Sequence, residues 1–263
     1  MTRILFRAML FLVWTSVVPA ADKFHPGCDV PFTSIKTADL EVDKECSIDG
    51  GSNEAAKQME SKAKNNFCVT DAPRPITYSM FTKLENKTTD AIRQDVKNGR
   101  DVLKNLVDGA GEGTLVQFVA FILDAHGSNI KKGELVNCKI KGEESNDIHI
   151  ELVKSKNEDD ACNSVTAEMS PHLRPESWSD LPTLVINRPV RVTGPLFFDG
   201  SHRPCSGDKR PSPNRISVWE IHPVYQFEVC KNKSLSGCKV NNNAVWIPLD
   251  KWHSHTDGEP DNN

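Results

Sequence analysis

Eight cysteines, Cys28, Cys46, Cys68, Cys138, Cys162, Cys205, Cys230 and Cys238, all follow a short apolar leader. An even set of cysteines behind a leader commits a chain to folding under oxidising conditions with its loops cross-linked. In the leader, MTRILFRAMLFLVWTSVVPAADKF, Arg3 and Arg7 make a positive start, Ala8 to Val18 an apolar run, and Pro19, Ala20 and Ala21 a small-residue exit. This layout predicts a signal peptide over residues 1–20, cut after Ala20. The apolar run is shorter than the ~17 to 25 residues that cross a bilayer, and no second one follows, so no membrane span is expected after cleavage. The expected destination is secreted or periplasmic. No C-x-x-C occurs, which argues against a cysteine-rich zinc site and a thioredoxin-like redox centre. Pairing cysteines that flank a single turn or helix predicts Cys46 with Cys68, Cys138 with Cys162 and Cys230 with Cys238.

The formal net charge is −4, from 32 basic and 36 acidic residues. Arg3 and Arg7 both lie in the leader, so the rest of the chain is more acidic still. General nucleic-acid binding is not expected, because it rests on Lys and Arg neutralising phosphates.

Residues 21–112 read as an arm followed by a small helical extension. Ser52 or Asn53 can cap a helix in EAAKQMESKAKNN, Ile76 to Leu84 suggest a short helix, and Ile92, Val96, Leu103 and Leu106 a longer one ending in the glycines near 110. Residues 113–240 change to strand-like texture: Thr114–Ala125, GELVNCKIK at Gly133–Lys141, Asp147–Val153, Ser164–Met169, then a Pro-rich connection, VRVTGPLFFDG and ISVWEIHPVYQFEVC. The fold class predicted is mainly β with α, an OB-like five- to six-stranded barrel behind the helical extension. Residues 241–263 read as a polar, loose tail.

Strand alternation separates a core face from a polar one. In DIHIEL, Ile148, Ile150 and Leu152 point one way, Asp147, His149 and Glu151 the other; in WEIHPV, Glu220 and His222 oppose Trp219 and Ile221. Pro223 predicts an edge or a bulge beside His222. Asp147, His149, Glu220 and His222 are therefore the first candidate metal ligands, with Glu168, His172, Asp199 and His202 as additional ones. Imidazole with carboxylate suits a divalent ion such as Zn, Mn or Ca, and equally suits acid–base chemistry. The competing reading is that these histidines only satisfy local hydrogen bonds. Arg191 and Arg215 are candidate anion-binding residues, with surface ion pairing as their alternative. His25, His126 and the His253/His255 pair read as ordinary surface or tail residues. No P-loop, G-x-S-x-G, H-E-x-x-H or G-x-G-x-x-G occurs.

The ordered segments NDIHIEL, VRVTGPLFFDGSH and RISVWEIHPVYQFEVC, with NNFC and RPITYSMFTKL upstream, resemble a group of exported bacterial proteins over roughly residues 46 to 230. The resemblance implies an OB-like barrel closed by the WEIHPV strand and implies no activity. OB-like barrels include secreted nucleases of the staphylococcal type; this chain lacks their acidic and arginine pattern, so that likeness is of fold alone. Three functional readings remain. The first is an exported, disulfide-stabilised module binding a divalent metal or small polar ligand; the second is a metal-dependent hydrolase of the phosphodiesterase type; the third is a structural or protein-interaction module.

Overall fold

In the computed structural model, residues 45–67 and 69–253 are described. The predicted signal peptide, most of the arm, Cys28, Cys68, His25 and residues 254–263 lie outside them. A helix α1 (Ala55–Lys64) opens the described chain, and the amide of Glu54 donates to Ser52 Oγ just before it. A short strand β1 (Arg74–Ile76) follows, then α2 (Tyr78–Lys87) and α3 (Asp90–Asp95), whose first turn is capped by Thr89. The single helix expected over Ile92–Leu106 is instead α3 and a separate 3-10 turn at Arg100–Leu103. Asn98 and Gly99, both poor helix formers, stand between them.

The barrel strands are β2 (Leu115–Gly127), β3 (Ile148–Val153), β4 (Val165–Met169), β5 (Val190–Phe198) and β6 (Trp219–Ile221). They close in the order β2-β3-β4-β6-β5-β2, antiparallel except for the parallel β4–β6 pair. This is the five-stranded OB-like arrangement the sequence suggested. Closure depends on β2: its first half pairs with β5 and its second half with β3, and an irregularity at Ile122–Asp124 lets it turn between them. β1 adds in parallel to β2, and β7 (Gln226–Cys230) and β8 (Trp246–Pro248) extend the sheet beyond β5.

Three expectations change. GELVNCKIK forms no strand but a chain of turns, with Gly133, Cys138 and Lys139 at positive φ. Two of these are not glycine, and Asn146 holds the loop by accepting from the Glu134 amide and donating to the Ile140 and Gly142 carbonyls. Residues 241–253, expected within a loose tail, supply β8 and a last helix α4 (Leu249–His253), where Trp246 and Leu249 are buried. β6 is not an edge strand; it lies between β4 and β5, and Pro223 falls just beyond its end.

The helical extension is part of the same core rather than a separate body. Phe81, Leu84 and Leu103 pack with Ile150, Ala167, Trp219 and Phe227, and Trp219 Nε1 donates to Thr88 Oγ1. Among the described residues the disulfides are Cys46–Cys138, Cys162–Cys205 and Cys230–Cys238. The last agrees with the pairing by proximity. The other two correct it, because tertiary packing brings the 128–147 connection to the start of the described chain and the 199–218 connection to the β3–β4 turn. No described helix is long and apolar enough to cross a membrane.

Gly194 is where β5 passes closest to the segment after β6: a Cβ there would meet Pro223 O at 2.4 Å and Ile221 Cγ2 at 2.7 Å. Gly194→Ala is expected to destabilise the fold by about 1 to 3 kcal/mol, read as a lowered urea midpoint. An unchanged midpoint would show that this closure is not tight.

Candidate metal centre

Strand register assembles the site. His126 on β2 stands opposite His149 on β3, and His149 opposite Glu168 on β4. Ala167 pairs with Ile221 on β6, which brings the next residue, His222, to Glu168. Ile148, Ile150, Leu152, Ala167, Trp219 and Ile221 enter the core, so alternation turns His149, Glu168 and Glu220 to the outer wall of the barrel. That wall is covered by one side of α1 and by the β2–β3 and β5–β6 connections. Between them lies a cavity of about 560 Å³, lined among others by Lys64, Glu134, His149, Glu168, Asp199, His202, Arg215 and Glu220.

Behind Glu168 and Lys64 sit Asp147 and His222, both fully buried. His222 Nε2 lies 2.9 Å from Asp147 Oδ2 and 3.3 Å from Glu168 Oε2, and its Nδ1 donates to the Lys64 carbonyl at 2.8 Å. A carbonyl only accepts, so Nδ1 carries hydrogen and Nε2 is the ring atom turned to the two carboxylates. One ligand atom from each of Asp147, Glu168 and His222 falls within 4.8 Å of the others. The Lys64 ammonium lies 2.8 Å from Glu168 Oε2 and 3.9 Å from Asp147 Oδ2.

The remaining oxygens are held from the sides. Glu168 Oε1 faces His149 Nδ1 at 3.2 Å, and Asp147 Oδ1 accepts from Asn137 Nδ2 at 3.2 Å. Glu134 Oε2 accepts from the Asp147 amide at 2.9 Å and from Asn137 Nδ2 at 3.1 Å. On the opposite wall Arg215 forks between Glu220 Oε1 and Asp199 Oδ2, and His202 Nδ1 meets the same Asp199 oxygen at 2.5 Å. Among the described residues His149 Nε2, Arg215 Nε and Glu220 Oε2 are buried without a hydrogen-bond partner, and all three residues line the cavity.

The charges respond to this crowding. Burial and the Lys64 ammonium push His222 down, but its hydrogen bonds to Asp147 and Glu168 outweigh them and raise it to about 10. Burial works to raise Asp147 and Glu168, yet His222 and Lys64, joined for Glu168 by His149, hold both below the usual carboxylate range. Burial and the neighbouring Asp147 push Glu134 up to about 8. Burial and Glu168 push Glu220 up to about 7, against the pull of Arg215. The cluster thus holds more buried carboxylate than its fixed cations neutralise.

Of the first four candidate ligands, Asp147 and His222 meet directly, joined by Glu168 from the additional set. His149 touches Glu168 from the side, and Glu220 is engaged with Arg215. Asp199 and His202 form the far wall. His172 packs edge-on to Phe67, with ring centroids 6.0 Å apart, and is not in the cavity lining. Arg191 is remote from the cavity: it pairs twice with Glu228, at 2.6 and 2.7 Å, and donates to Val240 O, fastening the last strand pair. His126, read as an ordinary surface residue, pairs with Asp124 and stacks on His149 at 5.1 Å. Sequence reasoning missed Lys64, Glu134 and Asn137. Lys64 ends an unremarkable polar helix, and the other two lie in the segment read as a strand.

The proton uptake has a stability consequence. The fold keeps protons on Glu220, Glu134 and His222 up to about pH 7, 8 and 10, whereas the unfolded chain releases them near the ordinary values of 4.5, 4.5 and 6.5. The native state then binds more protons than the unfolded one across this window, so the stability these three groups contribute is full below it and declines as pH rises, by about 1 kcal/mol per pH unit for each such group. Thermal melting of chelator-treated protein should fall between pH 5 and pH 9. A flat or rising melting temperature would mean that these groups ionise freely.

No family model, curated protein or solved structure matches the chain, so strand order and side-chain geometry carry the functional reading.

Proposed function

We propose that this chain is an exported, disulfide-stabilised OB-like module that holds a divalent cation through Asp147, Glu168 and His222, beside a cavity for a small polar ligand. The observation that carries the reading is the orientation of the His222 ring. Its Nδ1–H is committed to the Lys64 carbonyl, the outer-shell contact typical of metal-ligating histidines, and its Nε2 converges with two carboxylate oxygens. The spacings of 2.9 and 3.3 Å from Nε2 to those oxygens are close to the edge of a coordination tetrahedron, ~3.4 Å for bonds of ~2.1 Å. One nitrogen with two oxygens suits Zn or Mn better than Ca, which prefers an all-oxygen shell. The location supports the reading as well. The outer face of barrel strands two and three and the connections after strands one and four are where OB folds take ligands, an analogy of fold alone.

A second reading, metal-dependent hydrolysis, is favoured by Glu168, which belongs both to the ligand set and to the cavity wall. An ion there would keep a coordination position toward the cavity, as a water-activating site requires. Arg215, with Nε unpartnered at the wall, would be the donor to an anionic phosphodiester.

Metal analysis of the purified protein after incubation with Zn or Mn is expected to find one ion per chain, bound at pH 8 with release of a proton from His222. Calorimetry in buffers of different ionisation enthalpy reads that proton. Asp147→Asn, Glu168→Gln and His222→Gln should each weaken binding by more than the roughly hundredfold that even an outer-shell partner can cost. Wild-type protein that stays metal-free at saturating Zn and Mn would defeat the proposal and favour the interaction reading. Ion-dependent cleavage of bis-p-nitrophenyl phosphate, lost in Glu168→Gln, would raise the hydrolase reading above simple binding.

A further inference from the structure

We infer that Lys64 is a resident counter-cation of this site, which an incoming divalent ion must displace, so that the lysine sets how tightly the ion is held. The inference rests on the cation reading above and goes beyond it by naming what regulates the site.

The same two oxygens face both partners. Glu168 Oε2 and Asp147 Oδ2 are the atoms that converge on His222 Nε2, at 3.3 and 2.9 Å. They are also the atoms that the Lys64 ammonium approaches, at 2.8 and 3.9 Å. An ion bonded to them at ~2.1 Å would stand within a few ångströms of the ammonium in a space largely shielded from water. Two like charges so placed are not both tolerated. The lysine therefore does for the metal-free protein what an ion would do, in part: it neutralises Glu168 and leaves Asp147 to the His222 proton.

The side chain has somewhere to go. The Lys64 side chain is 18% exposed and lines the cavity with Lys57, Glu60 and Ser61 of the same helix. The backbone need not follow, since the Lys64 carbonyl is held by His222 Nδ1 whether the ammonium stays or leaves. The carbonyl and the ammonium of one residue thus play opposite parts: the first orients the imidazole for an ion, and the second competes with that ion.

The test is Zn and Mn affinity of the full chain, by competition with a chromogenic chelator, for wild type, Lys64→Met and Lys64→Arg, each checked by near-UV circular dichroism. Lys64→Met keeps the aliphatic stem and removes the charge; it is expected to bind about tenfold more tightly or better, a change of about 1.4 kcal/mol or more. Lys64→Arg should not bind more tightly than wild type. A wild type that binds only weakly beside a Lys64→Met that binds tightly would support the inference outright. Equal or weaker binding by a folded Lys64→Met would overturn it while leaving the cation site standing, whereas absence of binding in both proteins would overturn both. Should Lys64→Met fail to fold, amine acetylation of the wild type mapped by mass spectrometry decides: Lys64 should be modified several-fold faster with Zn present, and an unchanged rate would overturn the inference.

Discussion

Five carboxylates, those of Glu134, Asp147, Glu168, Asp199 and Glu220, are buried on the outer wall of a small barrel, and much of the molecule is arranged around their neutralisation. A buried carboxylate persists only with a cation, a proton or hydrogen-bond donors in reach. Arg215 serves Asp199 and Glu220, Lys64 serves Glu168, and protonated His222 serves Asp147. The shortfall falls on Glu134 and Glu220, which are pushed toward holding protons near neutral pH. This balance seats α1 on the barrel through Lys64. It also draws the β2–β3 connection inward through Glu134 and Asn137, and pins the β5–β6 connection through Arg215.

Connections are ordinarily the mobile parts of a barrel, and here two of them carry half of the charged residues. Each is cross-linked. Cys46–Cys138 ties the β2–β3 connection to the segment ahead of α1, and Cys162–Cys205 ties the β5–β6 connection to the turn after β3. Arg174 adds a second hold on the first connection by donating to the Glu143 and Asn146 carbonyls. The constraint reduces the conformations open to these loops before any ligand arrives, which is the usual requirement of a site that must present several charged groups at once. The third disulfide, Cys230–Cys238, does a different job far from the cavity, where Arg191, Glu228 and Trp246 close the last strand pair.

Much of the site was legible because strands have a period of two. Ile148, Ile150 and Leu152 on one side and His149 on the other, or Trp219 and Ile221 against Glu220, follow from that period and from nothing else. The carboxylate partner was harder to rank. Glu168 sits in VTAEM with only one polar neighbour on its face, Thr166, and became central only when β4 paired with β3 on one side and β6 on the other. Lys64 was not legible at all: helix α1 is polar along most of its length, and no pattern distinguishes the lysine that turns inward from those that do not.

Features that depend on neighbours in the chain could be read from the sequence alone: the helical character of α1, the alternation of the barrel strands and hence the two faces of the sheet. Features that depend on distance in space came only with the packed fold: which cysteines pair, that GELVNCKIK folds into turns under Asn146 rather than a strand, that residues 241–253 dock as β8 and α4, and which of many histidines and carboxylates converge. The difference is one of range. Backbone geometry and side-chain period are set within a few residues, whereas Lys64, Asp147, Glu168 and His222 come from four separate elements. Only barrel closure brings those four charges together.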